Sequence, residues 1–371
     1  MPSKPRTRPS RLSPCLALLL LWTAGGIATA APRDLSPSTS VARQIQSPAL
    51  IAPRWEQSVP ASGGLASIAA WQDATGKLSV YASDTANGRL LVLDGATGTP
   101  LDSAAELQLA APTALFVIDD VLFVVEQHNR RVLALGLPGL RPLGTVGDGG
   151  LIRPTSLFAR HIDVDSYLLY VADDYDNDGR LPPDRDLNRR VKTYQVSLAR
   201  SNDAAASPAT ISAERVGQLG ETDGDGILRR VGAMAGDPFH DHLLIAERDG
   251  DNGSGLRVYG FAGKYRNARL DRGLFRGQAN AVALRACDNG SGQWIASDNA
   301  EGSPLLVMDR ASLRPAGAFS NGGTAADALW FQLQGSDVFP DGVLLARQGD
   351  AISAFDWRDI ALELRLDAAC R

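Results

Sequence analysis

Two or three apolar residues, a small residue and then a polar one recur six times along the chain. The copies read Val80-Tyr81-Ala82-Ser83-Asp84, Val124-Val125-Glu126-Gln127, Tyr170-Val171-Ala172-Asp173-Asp174, Leu244-Ile245-Ala246-Glu247, Trp294-Ile295-Ala296-Ser297-Asp298 and Leu344-Leu345-Ala346-Arg347-Gln348. The small or branched residue falls at positions 82, 125, 172, 246, 296 and 346, in steps of about 43, 47, 74, 50 and 50 residues. A turn bearing Gly, Asn or Pro and a second apolar run follow most copies, as in Asn87-Gly88-Arg89-Leu90-Leu91-Val92-Leu93 and Gly255-Leu256-Arg257-Val258-Tyr259. Short strand pairs repeating every 40 to 50 residues or so mark the blades of a β-propeller. The pattern predicts an all-β chain, a six-bladed β-propeller of four-stranded antiparallel blades, spanning residues 63–371.

Blades surround a central channel, so strand ends and loops bring residues distant in sequence to one site. The repeated polar position, held by Ser83, Glu126, Asp173, Glu247, Ser297 and Arg347, is the first place to look for function. Propellers commonly close by letting an N-terminal strand complete the last blade, and Ser67–Trp71 is the candidate for that role.

Ahead of the repeats, Lys4, Arg6, Arg8 and Arg11 precede an apolar stretch from Cys15 to Trp22, and Ala28-Thr29-Ala30 supplies small residues for cleavage. Residues 1–30 are thus expected to be a signal peptide, and the mature protein to be exported, periplasmic or secreted. Pro32, Pro37, Pro48, Pro53 and Pro60 make residues 31–62 read as a Pro/Ser/Ala-rich leader, laid over the surface or partly disordered. Cleavage would take the formal charge from −5 to about −9, which disfavours nucleic acid and anionic lipid as partners. No further stretch is long and apolar enough for a membrane span. Cys287 and Cys370 remain, and in an oxidising compartment the simplest expectation is a disulfide, worth roughly 4 kcal/mol in the entropic account.

The long third step holds an insertion, about 173–212, that begins Asp173-Asp174-Tyr175-Asp176-Asn177-Asp178-Gly179-Arg180. Alternating carboxylates before a glycine suit a loop folded around a hard cation such as calcium, although Arg185 stands where an EF-hand needs its Glu. The same residues also suit an acidic turn with no ion. Two similar runs, Glu221–Gly226 and Glu247–Gly253, read equally well as hairpin turns, but Glu247 also occupies the repeated polar position. The candidate metal ligands are therefore Asp173, Asp174, Asp176, Asp178, Glu247 and Asp249. The four histidines have no metal-ligand spacing, and no nucleophile elbow, phosphate loop or dinucleotide fingerprint is present.

The C-terminal run Phe339-Pro340-Asp341-Gly342-Val343-Leu344-Leu345-Ala346, with Phe355-Asp356-Trp357-Arg358-Asp359-Ile360, resembles the closing pattern of the β-propeller phytases. Gly232-Ala233-Met234-Ala235-Gly236-Asp237 with Leu244-Ile245-Ala246-Glu247 is similar to that family's fourth blade. The resemblance covers roughly residues 65–365. It implies calcium-dependent release of phosphate from inositol hexakisphosphate, with Glu247 and Asp327 at matching acidic positions and taken as catalytic. Several family positions differ: Gly232 and Asn280-Ala281 stand where acids are expected, the opening acids are missing from Gly63–Trp71, and the phosphate-binding lysines are absent near Thr85 and Asp174.

Three functions are compatible with these residues. The first is calcium-dependent phosphomonoester hydrolysis of a phosphorylated small molecule, with Arg180, Arg190, Lys192, Arg248 and Arg347 contacting phosphate. The second is a non-catalytic propeller that binds a ligand or protein on its loop face, and the missing acids favour it. The third is a calcium-assisted lactonase-type hydrolase, in which Glu126, Asp173, Asn299 and Glu247 imitate a channel metal site. A monomer is expected in each case.

Overall fold

The computed structural model describes residues 35–59, 64–101, 107–200, 209–250, 254–270 and 273–370. The signal-peptide expectation lies outside the described residues. Pro32–Arg371 forms one compact unit. Its strands form six sheets, each the blade of a propeller.

Blade 1 runs from Leu65 to Leu101, blade 2 from Pro112 to Val146, blade 3 from Pro154 to Leu219 and blade 4 from Val231 to Leu270. Blade 5 is built on Ala279–Ser320 and blade 6 on Ala328–Asp356. The innermost strands are Leu65–Gln72, Pro112–Ile118, Pro154–Asp163, Val231–Asp237, Ala279–Ala286 and Ala328–Gln332, and each touches the next until the sixth meets the first. That closed ring of strands encloses the channel.

The recurring phrase is the second strand of every blade. Successive side chains of a strand point to opposite faces, and here both faces are covered by neighbouring blades. In blade 2, Val121, Phe123 and Val125 pack toward blade 3, while Leu122 and Val124 pack toward blade 1. Two-sided burial explains why the phrase is a continuous apolar run rather than an alternation. Six apolar clusters fill the six seams between blades.

Ring closure differs from the expectation placed on Ser67–Trp71. That segment belongs to Leu65–Gln72, the innermost strand of blade 1, and pairs with Leu78–Asp84. The closing strand is Trp55–Ser58, antiparallel to Ala351–Asp356 at the outer edge of blade 6. Ala49–Leu50 lies parallel to Pro315–Ser320 and adds a fifth strand to blade 5. Thr39–Gln46, a helix capped by Ser38, buries Val41 and Ile45 in the seam of blades 4 and 5. The described part of the leader is thus built into the propeller, because its few large apolar residues find seams to fill.

A second helix, Trp357–Leu364, is capped by Asp356 and buries Trp357, Ile360, Ala361 and Leu364 between blades 5 and 6. Among the described residues no helix is long and apolar enough to cross a membrane. Cys287 and Cys370 form the expected disulfide, with Cα atoms 5.2 Å apart.

Candidate functional site

The strand register shows what the repeated polar position does. The residues facing the first residue of each innermost strand are Asp84, Glu126, Asp173, Glu247, Asp298 and Arg347. Ser83 and Ser297 therefore sit one place earlier than the acids Asp84 and Asp298. Four of the acids accept backbone N–H groups from the segment entering the innermost strand: Glu126 from Ala110, Asp173 from Ile152 and Arg153, Glu247 from Arg229 and Arg230, and Asp298 from Arg276. Asp84, Glu126 and Asp173 also pair with Arg89, Arg131 and Lys192 on the third strand. These carboxylates satisfy N–H groups that would otherwise be buried without partners, and they fasten each loop to its blade.

Glu247 is 1% exposed and accepts three backbone N–H groups, the third from Asp249. Burial pushes its carboxyl above the ordinary range, and those hydrogen bonds work against the shift. Lys192 is equally enclosed, donating to Asp173 and, at 2.5 Å, to the Gly150 carbonyl.

The acidic insertion crosses from the second to the third strand of blade 3, over residues 174–190. Asn177 and Arg180 bridge a tight hairpin whose corner is Asp178-Gly179, both at positive φ. Asp178 and Arg180 are exposed at this tip. Asp174 lies 3.4 Å from the Arg190 guanidinium and 3.7 Å from that of Arg230, and it accepts from the Val231 N–H. Burial raises the Asp174 carboxyl, with Arg190 the chief opposing charge. Asp176 pairs through its two oxygens with Arg230 at 2.6 Å and Arg153 at 3.1 Å. Arg190 is fully buried, stacks on Tyr175 and donates to the carbonyls of Tyr175, Leu228 and Arg229. Asp249 lies 3.9 Å from Arg229.

These carboxylates meet guanidinium groups and backbone N–H groups rather than one another. Among the described residues no three acidic, histidine or cysteine side chains converge as a metal-holding group. The donor set does not fit a calcium cage, which needs six to eight oxygens around one point.

What converges instead is a ring of cations and amides at the channel mouth. Arg153, Asp174, Arg230, Arg248, Gln278, Asn280 and Asn299 line a cavity of about 360 Å³. Beneath it the channel proper forms a cavity of about 380 Å³ walled by all six innermost strands. Arg248 and Asn280 line both. In five blades the register slips at the top of the innermost strand, and Ser67, Thr113, Thr155, Gly232 and Asn280 lie at the slips. Such bulges re-aim side chains beside functional sites.

Gly232 contributes by what it lacks. A Cβ there would lie 3.0 Å from Arg248 Cδ and 3.1 Å from Ala246 Cβ, so the Arg248 stem crosses the innermost strand of blade 4 because a glycine is beneath it. Among the described residues the Arg248 guanidinium has no hydrogen-bonding or ion-pair partner.

Of the residues singled out in the sequence, Asp174, Arg248 and Asn299 line the mouth, with Asp176 beside them. Asp327 lines the channel, pairs with Arg347 at 2.8 Å and accepts from Asn280. Glu247, Lys192, Arg190 and Arg347 line neither cavity. Arg153, Arg230 and Gln278 carry no motif that would single them out in the sequence. Their signal was positional, since Arg153 and Arg230 each stand immediately before the first residue of an innermost strand.

Neither a protein-family model nor a curated protein sequence matches the chain. Solved structures match the chain at low identity. One is in the crystal structure of a nidogen/laminin complex, with a TM-score of 0.46 and 14% identity over 72% of this chain and 84% of that one. Another is the Neurospora crassa Pan2 WD40 domain, with a TM-score of 0.46 and 8% identity over 81% of each chain.

Proposed function

We propose that the protein is a ligand-binding propeller whose channel mouth receives an oxyanion. The observation that carries this reading is Arg248, an unpaired guanidinium among the described residues, at the junction of the two cavities. Arg153 and Arg230 stand at the same rim, and the three arginines outnumber Asp174 and Asp176. Guanidinium groups present forked N–H donors matched to carboxylate or phosphate oxygens. Gln278, Asn280 and Asn299 supply further amide donors around them.

The calcium-dependent hydrolysis implied by the phytase resemblance has less support. It needs carboxylates free to bridge metal ions, and the bulged positions where that family places acids carry Gly232 and Asn280.

Calorimetric titration of the full chain with inorganic phosphate tests the proposal. Removing one charge-assisted partner is worth about 1.5–3 kcal/mol, so Arg248→Met should weaken binding at least about tenfold with unfolding unchanged. Equal affinity in the variant would refute the oxyanion site. Calcium-dependent phosphate release from inositol hexakisphosphate would reinstate the hydrolase.

A further inference from the structure

We infer that the ligand is an organic anion, with its oxyanion head at the mouth and an apolar body standing in the channel. This rests on the oxyanion reading of the mouth and adds to it what lies below. The channel cavity adjoins the mouth, with Arg248 and Asn280 lining both, and its volume falls in the usual range of small-molecule sites. Arg248 and Asp327 are the charged residues that line it, both at the upper end, where Asp327 is already paired with Arg347. Farther down the wall carries Phe116, Phe158, Met234, Leu284 and Trp330.

The section of the channel is not symmetric. Phe116 of blade 2 and Trp330 of blade 6 meet edge to face, 5.4 Å between ring centroids, although blade 1 separates their strands. They close across the front of blade 1, which gives the cavity only Ala66, Ser67 and Ile68. Blades 4 and 5 line it down to Gly236 and Ala286. The space left is a slot with an aromatic wall. From Thr113 down to Phe116 the strand descends three residues, about 10 Å, enough for one or two fused rings.

Calorimetry on the full chain compares inorganic phosphate with phenyl and naphthyl phosphate, and phenylacetate in parallel. An aryl anion should bind at least about tenfold tighter than inorganic phosphate. Whichever head binds more tightly identifies the oxyanion as phosphate or carboxylate. Phe116→Leu, which keeps an apolar side chain in the seam, should shrink the aryl advantage. If inorganic phosphate binds and the aryl anions gain nothing, this inference falls while the oxyanion mouth stands. If nothing binds, both fall. Aryl binding that survives Arg248→Met would place the body elsewhere and overturn the inference as well.

Discussion

The indole Nε1 of Trp55 donates to the carbonyl of Gly95 at 3.0 Å, joining the outer strand of blade 6 to blade 1. The ring also packs against Gly98, where φ is +75° and a Cβ would come within 2.6 Å of the indole. One side chain thus seals the seam where the first and last blades meet. Trp55 is half-buried, so Trp55→Ala should cost about 2–3 kcal/mol, less than the roughly 3–5 kcal/mol of truncating a fully buried aromatic. Urea denaturation should show it as a lowered midpoint with an unchanged slope. An unchanged midpoint would mean that closure rests on the backbone pairing alone.

Lys192 and Asp173 are both buried, and among the described residues no other cation lies on that carboxylate. Removing one member of a buried pair leaves an uncompensated charge, at a cost of about 3–5 kcal/mol. Lys192→Met should therefore destabilise the protein more than Trp55→Ala does. The double variant Lys192→Met/Asp173→Asn should recover part of the loss, because the neutral side chain no longer needs a counter-charge. Failure to recover would show that Lys192 acts through its bond to the Gly150 carbonyl instead.

Blade number and strand order were legible because every second strand is buried on both faces, and a continuous apolar run is hard to mistake. The site was much less legible. Ser83 and Asp84 are adjacent, and only the pairing of Leu65 with Asp84 tells which one ends the blade. The acidic insertion reads as a cation loop because its carboxylates are consecutive in sequence, whereas their partners Arg153 and Arg230 come from other loops. The closing strand was misplaced for a similar reason. Trp55-Glu56-Gln57-Ser58 carries a single large apolar residue, and its strand character comes from the open edge of Ala351–Asp356.

Asp237 is fully buried between blades 4 and 5 and receives both arms of Arg310 at 2.6 and 2.8 Å, with His240 at 2.7 Å. Burial alone would raise its carboxyl, but hydrogen bonds from Arg310 and then His240 outweigh that and hold it below the ordinary range. A carboxyl depressed in the folded state stabilises the fold fully above its unfolded value and loses that contribution as pH falls through the folded one. Stability measured from neutral pH downward should therefore decline below the usual carboxylate range. Asp237→Asn should flatten this acid limb. Glu247 and Asp174, whose carboxyls are raised, contribute with the opposite sign: the fold gains from their protonation, and that gain disappears as pH rises through their folded values. An acid limb unaffected by Asp237→Asn would assign it to other carboxylates, such as Asp84 and Asp356.

Asp176 decides how much of the rim's positive charge a ligand meets. Its two oxygens occupy Arg230 and Arg153, and its side chain is about one-fifth exposed, so ligand and Asp176 compete for the same guanidinium groups. Asp176→Asn removes one negative charge from the mouth and frees both arginines while keeping the side chain's shape. Phosphate affinity should rise, by about tenfold if one charge-assisted contact of about 1.4 kcal/mol is gained, and it should become more sensitive to salt. Stability should fall by about 1 kcal/mol or less, since Arg153 is half exposed and such pairs contribute little. The calcium reading predicts the reverse, because losing a ligand carboxylate would weaken any calcium-dependent phosphate binding. Titrating wild type and Asp176→Asn with phosphate, with calcium and with chelator, separates the two by the sign of the change.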